Sequence, residues 1–297
     1  MTDINVGQVA EATNGVTHFS NTPPDAFTGR WIDPTQYYLT YTIPWGSGIS
    51  LQAGRFVTLL GEEVIPTYTN QNFNETRGFV FNNGEPLTHT GVRASYTLNE
   101  YVALVGGLNN GWDSPGNLNN GGPNYEGEIS LNNKDKSVAL IVNGMYGPNQ
   151  VGHSNSNRGA IDPILTLKPA FIPNTTFATE FLYASETGKF QNGHGATWWG
   201  VAQYLVYDLN EWEFATRGEV FDDEDGARTG AHQTLWEITQ TLTYKVPGVT
   251  GLLLRGEYRH DNSNQHSFTN NNFVDPLLGQ HQWKGQDTLL GAILYAF

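Results

Sequence analysis

The sequence predicts an all-β chain, a transmembrane up-and-down antiparallel β-barrel of about fourteen strands, with sixteen as the alternative count. Three observations predict it. Segments of about ten residues alternate between a charged or hydroxyl-bearing side and an apolar side. Short and long connections between those segments alternate without a break. The chain also ends on an apolar strand, DTLLGAILYAF (287–297), whose last residue is aromatic.

Taken in order, alternation and turn signals place strands at 3–11, 36–44, 48–57, 87–98, 101–109, 124–132 and 137–147. They continue at 159–168, 174–185, 196–207, 211–221, 231–246, 250–261 and 286–297. The short connections are PWGSG (44–48), LNE (98–100), NNKD (132–135), KPAFIP (168–173), DLNE (208–211) and VPGVT (246–250). Between them fall long ones at 12–35, 58–86, 111–123, 148–158, 186–195, 222–230 and 262–285. If the strands run up and down in order, every short turn lies at one end and every long loop at the other, as short periplasmic turns and long extracellular loops do in outer-membrane barrels.

The faces follow from period 2. One side of 211–221 carries Glu211, Glu213, Arg217 and Glu219, and one side of 250–261 carries Arg255, Glu257 and Arg259, opposite Leu252, Leu254 and Tyr258. The same split yields Arg55, His89, Arg93, Glu126, Glu128, Asp162, Lys168, Glu180 and Glu237. In a membrane barrel these side chains line the lumen, and the opposite faces meet lipid. They sum to nine acids against six bases, a weak bias toward cations. Aromatics near strand ends, among them Tyr37, Tyr41, Trp45, Trp198, Trp199, Tyr204, Trp212 and Tyr295, suit interfacial girdles.

Composition is compatible with this reading. The 297 residues include 34 Gly, 15 Phe, 14 Tyr and 8 Trp, and only 15% are charged. The corresponding figure for soluble domains is about 25%. No boundary divides the chain, so one domain over 1–297 is expected, with 58–86 too long for a plain turn and able to fold inward as a constriction. The absence of Cys rules out disulfides and cysteine-ligated metals, and a net charge of −14 argues against nucleic acid as a partner. No apolar run approaches the roughly 18 residues of a membrane helix, a criterion that says nothing about strands. The residues after Met1 lack the basic and apolar regions of a secretory signal, so none is expected within this chain.

Several stretches resemble the OmpL-like β-barrel porin family of Gram-negative envelopes: AGRFVTLLGEEVI (53–65), PLTHTGVRASYTLNE (86–100), LNNGWDSPGNLNN (108–120), RGEVFDDEDGARTG (217–230) and LLLRGEYRHDNSNQ (252–265), followed by the Phe-terminated strand. The resemblance implies a bacterial outer-membrane, porin-like channel for ions and small hydrophilic solutes, without catalytic residues. Its expected partners are outer-membrane lipid and the envelope barrel-assembly machinery, which would read the terminal Tyr295 and Phe297 as an assembly signal. A homo-oligomer is compatible with it. Two other classes compete: a soluble or surface all-β carbohydrate-binding or structural protein, and an outer-membrane barrel hydrolase, for which Ser154 beside His153 offers residue types but no GxSxG elbow. No cofactor or metal is expected. The eight His are scattered, His260 and His266 flank an Asn-rich stretch without a ligand motif, and DDEDG (222–226) lacks the ligand spacing of an EF-hand and reads as a solvated acidic loop.

Overall fold

The computed structural model describes residues 2–6, 32–65, 72–113, 122–149, 156–190, 194–275 and 279–295. Fourteen strands form one antiparallel sheet in chain order: β1 (Thr2–Val6), β2 (Ile32–Ile43), β3 (Ile49–Val57), β4 (Thr88–Thr97), β5 (Val102–Asn109), β6 (Asn124–Asn132), β7 (Val138–Pro148), β8 (Asn157–Leu167), β9 (Thr175–Phe190), β10 (His194–Leu209), β11 (Trp212–Asp223), β12 (Gln233–Lys245), β13 (Leu252–Ser263) and β16 (Gly285–Tyr295). β14 (Phe268–Asp275) and β15 (Gly279–Trp283) make a separate hairpin. One π-helical turn, Val80–Gly84, lies within the connection between β3 and β4.

Within the sheet each strand pairs with the next one in chain order, and at every second connection a tight turn leaves no alternative. β10 and β11 are joined through Asn210 and Glu211 alone, and Asn210 takes φ 52°, the left-handed conformation that two-residue hairpins require and Asn tolerates. On β3, Gly54 has φ 140°, and a Cβ there would lie 2.3 Å from the Tyr37 carbonyl of β2, so a side chain at this position would push the two strands apart.

The sheet is strongly curled. β5 and β10 are five steps apart in its order, about 24 Å on a flat sheet at about 4.8 Å per strand. Yet Trp112, just beyond β5, meets Trp198 of β10 edge-on with ring centroids 5.9 Å apart. The concave side carries the charges, and the convex side is apolar. Arg217, Thr239, Glu237 and Glu257 are buried, whereas Leu205, Phe214, Ile238, Leu242 and Leu254 are among the exposed large hydrophobics. An exposed belt of Leu, Ile, Tyr and Trp with buried arginines behind it inverts the order of a water-soluble sandwich, where apolar groups fill the inside. No helix among the described residues is long and apolar enough to cross a membrane, which says nothing of strands.

Several expectations need correction. The first strand covers 2–6 instead of 3–11, and residues 7–31 lie outside the described set. The long loop expected at 186–195 is mostly strand, since β9 runs to Phe190 and β10 starts at His194. The connection 262–285 holds the extra hairpin β14–β15. Trp198 and Tyr204 do not belong to an interfacial girdle. Both are buried on the concave side, Trp198 donating Nε1–H to the Gly84 carbonyl at 2.8 Å and Tyr204 packing against Phe73. His153, Ser154 and Phe297 lie outside the described residues.

Candidate functional site

The concave face of β8–β13 is covered by the segment between β3 and β4, described over 58–65 and 72–87. What fixes it is a set of carboxylates on the sheet that accept hydrogen bonds from its main chain. Gly61 N–H donates to Asp162 Oδ2 at 2.7 Å, and Glu62 N–H to Glu180 Oε2 at 3.3 Å. Glu257 accepts the N–H groups of both Glu75 and Thr76, at 2.6 and 2.9 Å. Glu219 accepts those of Phe79 and, at 3.1 Å, Val80. A carboxylate accepting two adjacent N–H groups gains charge-assisted hydrogen bonds and satisfies backbone donors that burial would otherwise orphan.

The segment's own side chains answer the arginines of the sheet. Arg217, with no exposed surface, contacts Glu63 at 2.5 Å and Glu237 at 2.7 Å, and also donates to the Thr76 carbonyl at 2.7 Å and Thr239 Oγ1 at 3.3 Å. Arg255 pairs with Glu75 at 3.2 Å and donates to the Asn72 carbonyl and Thr243 Oγ1. Arg259 pairs with Asp261 at 2.6 Å, lies 4.8 Å from the centre of the Phe79 ring and donates to the Arg77 carbonyl. Apolar contacts complete the docking: Val80 and Gly84 of the π-helical turn sit against Leu182, Gly200 and Phe221.

The other expected lining residues fall into three groups. Arg93 holds Glu126 with two contacts, 2.6 and 3.2 Å, and its guanidinium lies 3.9 Å over the Phe56 ring, while Arg55 donates to Thr88 Oγ1 at 3.2 Å. His89 is fully buried, with Nδ1 2.8 Å from the Gly111 carbonyl. Glu128 and Glu213 are half-buried nearer the short-turn end, bonded to Ser130 and to Lys245 respectively. Lys168 and Glu211 are exposed in the short turns themselves, and Tyr295 is exposed on the convex side.

Sequence reasoning missed the groups supplied by the connection. Glu62, Glu63, Glu75, Arg77 and Glu85 carry no periodicity, and their partners are 100 or more residues away or on a neighbouring stretch of the same loop. Glu85 is buried and takes its surroundings from other acids. Burial, followed by the Glu180, Asp162, Glu63 and Asp113 charges, pushes its carboxyl well above the usual range. Burial, Glu63 and Asp162 push Glu62 up to about 7. Asp113 rises to about 6 through burial, opposed by the Leu87 N–H bond and by Arg228 and Arg158.

Above this layer, toward the long loops, Arg158 and Arg228 both lie over the rings of Trp112 and Trp198, at 4.9 to 5.5 Å. Arg158 pairs with Glu186, and Arg228 donates to the Asn83 carbonyl. Burial and the neighbouring Arg158 charge lower Arg228 to about 10. In the 222–226 loop, buried Asp223 accepts the N–H groups of Ala227, Arg228 and Thr229, so this acid organises the loop's own backbone. No group of three His or acidic residues among the described ones is spaced to hold a metal ion.

Comparison with curated protein sequences finds no match. Solved structures are similar in fold at low identity. An anion-selective porin from Comamonas acidovorans aligns over 90% of this chain and 79% of its own, at 11% identity and TM-score 0.62. The trimer form of OmpT, an outer membrane protein of Vibrio cholerae, aligns over 89% and 81%, at 11% identity and TM-score 0.56. The outer membrane channel DcaP of Acinetobacter baumannii aligns over 86% and 83%, at 10% identity and TM-score 0.54. A family model described as "Putative beta-barrel porin-2, OmpL-like" matches residues 2–297. With its charged concave face, apolar convex face and a match over essentially its whole length, the chain belongs to this family of outer-membrane β-barrel porins.

Proposed function

We propose that the chain closes into a barrel around a water-filled passage that admits ions and small hydrophilic solutes by passive diffusion, with weak preference for cations. The observation that carries this reading is the inversion of polarity: arginines and carboxylates on the concave side, leucines and aromatics on the convex side. A wall of that kind is unfavourable in water and suited to lipid outside and solvent within. Segment 58–86 acts as the constriction. Its described parts, 58–65 and 72–86, lie on the β8–β13 side, so the passage runs along β2–β7, where Thr40 is exposed and Gln52, Ser95 and Glu128 are half-buried.

The cation preference rests on charge. Adding Glu62, Glu63, Glu75 and Glu85 against Arg77 takes the count along the path from nine acids and six bases to thirteen and seven. Most arginines are already paired, so the bias is small and fades as salt shortens the screening length to about 8 Å at 0.15 M. The terminal Tyr295 and Phe297 serve as the assembly signal, and self-association into a homo-oligomer buries part of the convex face. Planar-bilayer recording of the refolded protein tests the reading. Stable ohmic steps and a reversal potential on the cation side of a KCl gradient are expected. An absence of conductance from protein that is folded by heat-modifiable gel mobility overturns it.

A further inference from the structure

Three carboxylates converge on two consecutive residues of the segment. Asp162 and Glu180, from the adjacent strands β8 and β9, accept the N–H groups of Gly61 and Glu62. Glu85 comes from the far end of the same segment and presses against the backbone of Gly61, so closely that a Cβ there would lie 2.2 and 2.5 Å from its two oxygens. Both oxygens of Glu85, Oδ1 of Asp162 and Oε1 of Glu180 are buried without a hydrogen-bond partner among the described residues. Glu62 and Glu63 stand beside them.

Four buried acceptor atoms without donors cannot stay ionised side by side at low cost. Desolvation and mutual repulsion both act against the charge. Cations do not supply the missing charge. Arg217 is engaged by Glu63 and Glu237, and Arg228 faces Asp113 and the Asn83 carbonyl. The charges that act most strongly on Glu85 are all acidic: Glu180 on β9, Asp162 on β8, Glu63 in the segment and Asp113 beyond β5. We infer that Glu85, Glu62, Asp162 and Glu180 form a proton-binding site that fastens segment 58–86 to the concave face and releases it as the protons leave.

Held against the sheet, Glu85 and Glu62 bind protons that the released segment, open to water, gives up in the ordinary carboxylate range. The docked form is therefore fully favoured below about pH 4.5 and loses ground as pH rises above it, by up to about tenfold in its equilibrium constant per pH unit for each such proton. For Glu62 that decline ends near pH 7, while for Glu85 it continues beyond. Loosening of the segment with rising pH follows, and with it a wider passage. This last consequence rests on the channel reading above.

The chain has no Cys, so a single Asn82→Cys at an exposed position of the segment accepts a nitroxide label without competition. In lipid vesicles the ratio of mobile to immobile label is expected to rise at least tenfold between pH 5 and 9. Glu85→Gln and Glu62→Gln, which keep the shape and remove the charge, are each expected to reduce that rise by at least about threefold, and the double variant to reduce it further. Heat-modifiable gel mobility checks that each variant is folded. A label ratio that does not change with pH, or a Glu85→Gln protein that follows the parent curve, overturns the inference. Conductance of the same samples separates the two proposals: a label transition with no conductance at any pH supports the proton site and overturns the channel, whereas conductance with a flat label ratio does the reverse.

Discussion

Replacing Arg217 by Met is the sharpest test of the docked segment. The side chain has no exposed surface, and its guanidinium joins the segment to the sheet through Glu63 at 2.5 Å and Glu237 at 2.7 Å, with further bonds to the Thr76 carbonyl and Thr239. Met fills much of the volume, so the loss is electrostatic: two buried carboxylates remain, Glu63 without its arginine and Glu237 with only Arg259 at 3.9 Å. Removing one partner of a buried pair costs about 3 to 5 kcal/mol. The upper part of that range applies if the segment stays in place, and the lower if it moves and lets water reach Glu63. Urea titration in lipid vesicles, followed by tryptophan fluorescence, measures the change. A double-mutant cycle with Glu63→Gln isolates the contact between segment and sheet, and a coupling of about 1.5 kcal/mol or more is expected for a buried charged pair. A Met variant within about 0.5 kcal/mol of the parent, or strictly additive changes in the cycle, would refute the docking of 58–86 on the concave face.

Leu205 is exposed on the convex face and is the fifth residue from the short-turn end of β10, close to the midplane of a span of about ten residues. Leu205→Arg is expected to cost about 2 to 4 kcal/mol in the same vesicle titration, and tolerance of the change would mean that this face does not meet hydrocarbon. Trp198→Phe removes the bond to the Gly84 carbonyl and should destabilise by about 1 to 3 kcal/mol, leaving a buried acceptor unpaired. If thermal unfolding of this variant matches the parent, the π-helical turn is not anchored there. Arg93→Gln leaves Glu126 with only the Asn109 amide at 2.8 Å, so the reversal potential in a KCl gradient should move toward cations. A shift toward anions would show that this pair does not act on the ion path.

Most of the sheet was legible because a half-buried strand writes its faces into the chain with period 2, and eleven of the fourteen sheet strands start and end within about three residues of the alternation boundaries. β10 is instructive. Its concave residues are Ala196, Trp198, Gly200, Ala202, Tyr204 and Val206, so both sides are apolar and polarity could not assign them. The cause lies elsewhere in the chain, where Val80 and Phe73 of the segment need apolar seats on that strand. The strands β14 and β15 escaped notice because the Asn run at 270–272 breaks the pattern. The candidate site was legible by halves. Wall charges such as Glu219 and Glu257 declared themselves through their position on a strand, but what they hold did not, since their ligands are backbone N–H groups about 140 and 180 residues away, and a backbone amide leaves no trace in a sequence.

That manner of attachment separates two properties of the segment between β3 and β4. The carboxylates Asp162, Glu180, Glu219 and Glu257 grip main-chain amides at residues 61, 62, 75, 76, 79 and 80, and apart from Gly61, where a Cβ would strike Glu85, any amino acid except proline presents the same amide. The path of the segment is thus set by the wall, while those of its side chains that do not bond to the wall are free to change in size and charge. On the channel reading proposed above, a lineage can retune what passes through without rebuilding the frame that holds the segment, and an engineer can do the same by substituting there and leaving the four carboxylates alone.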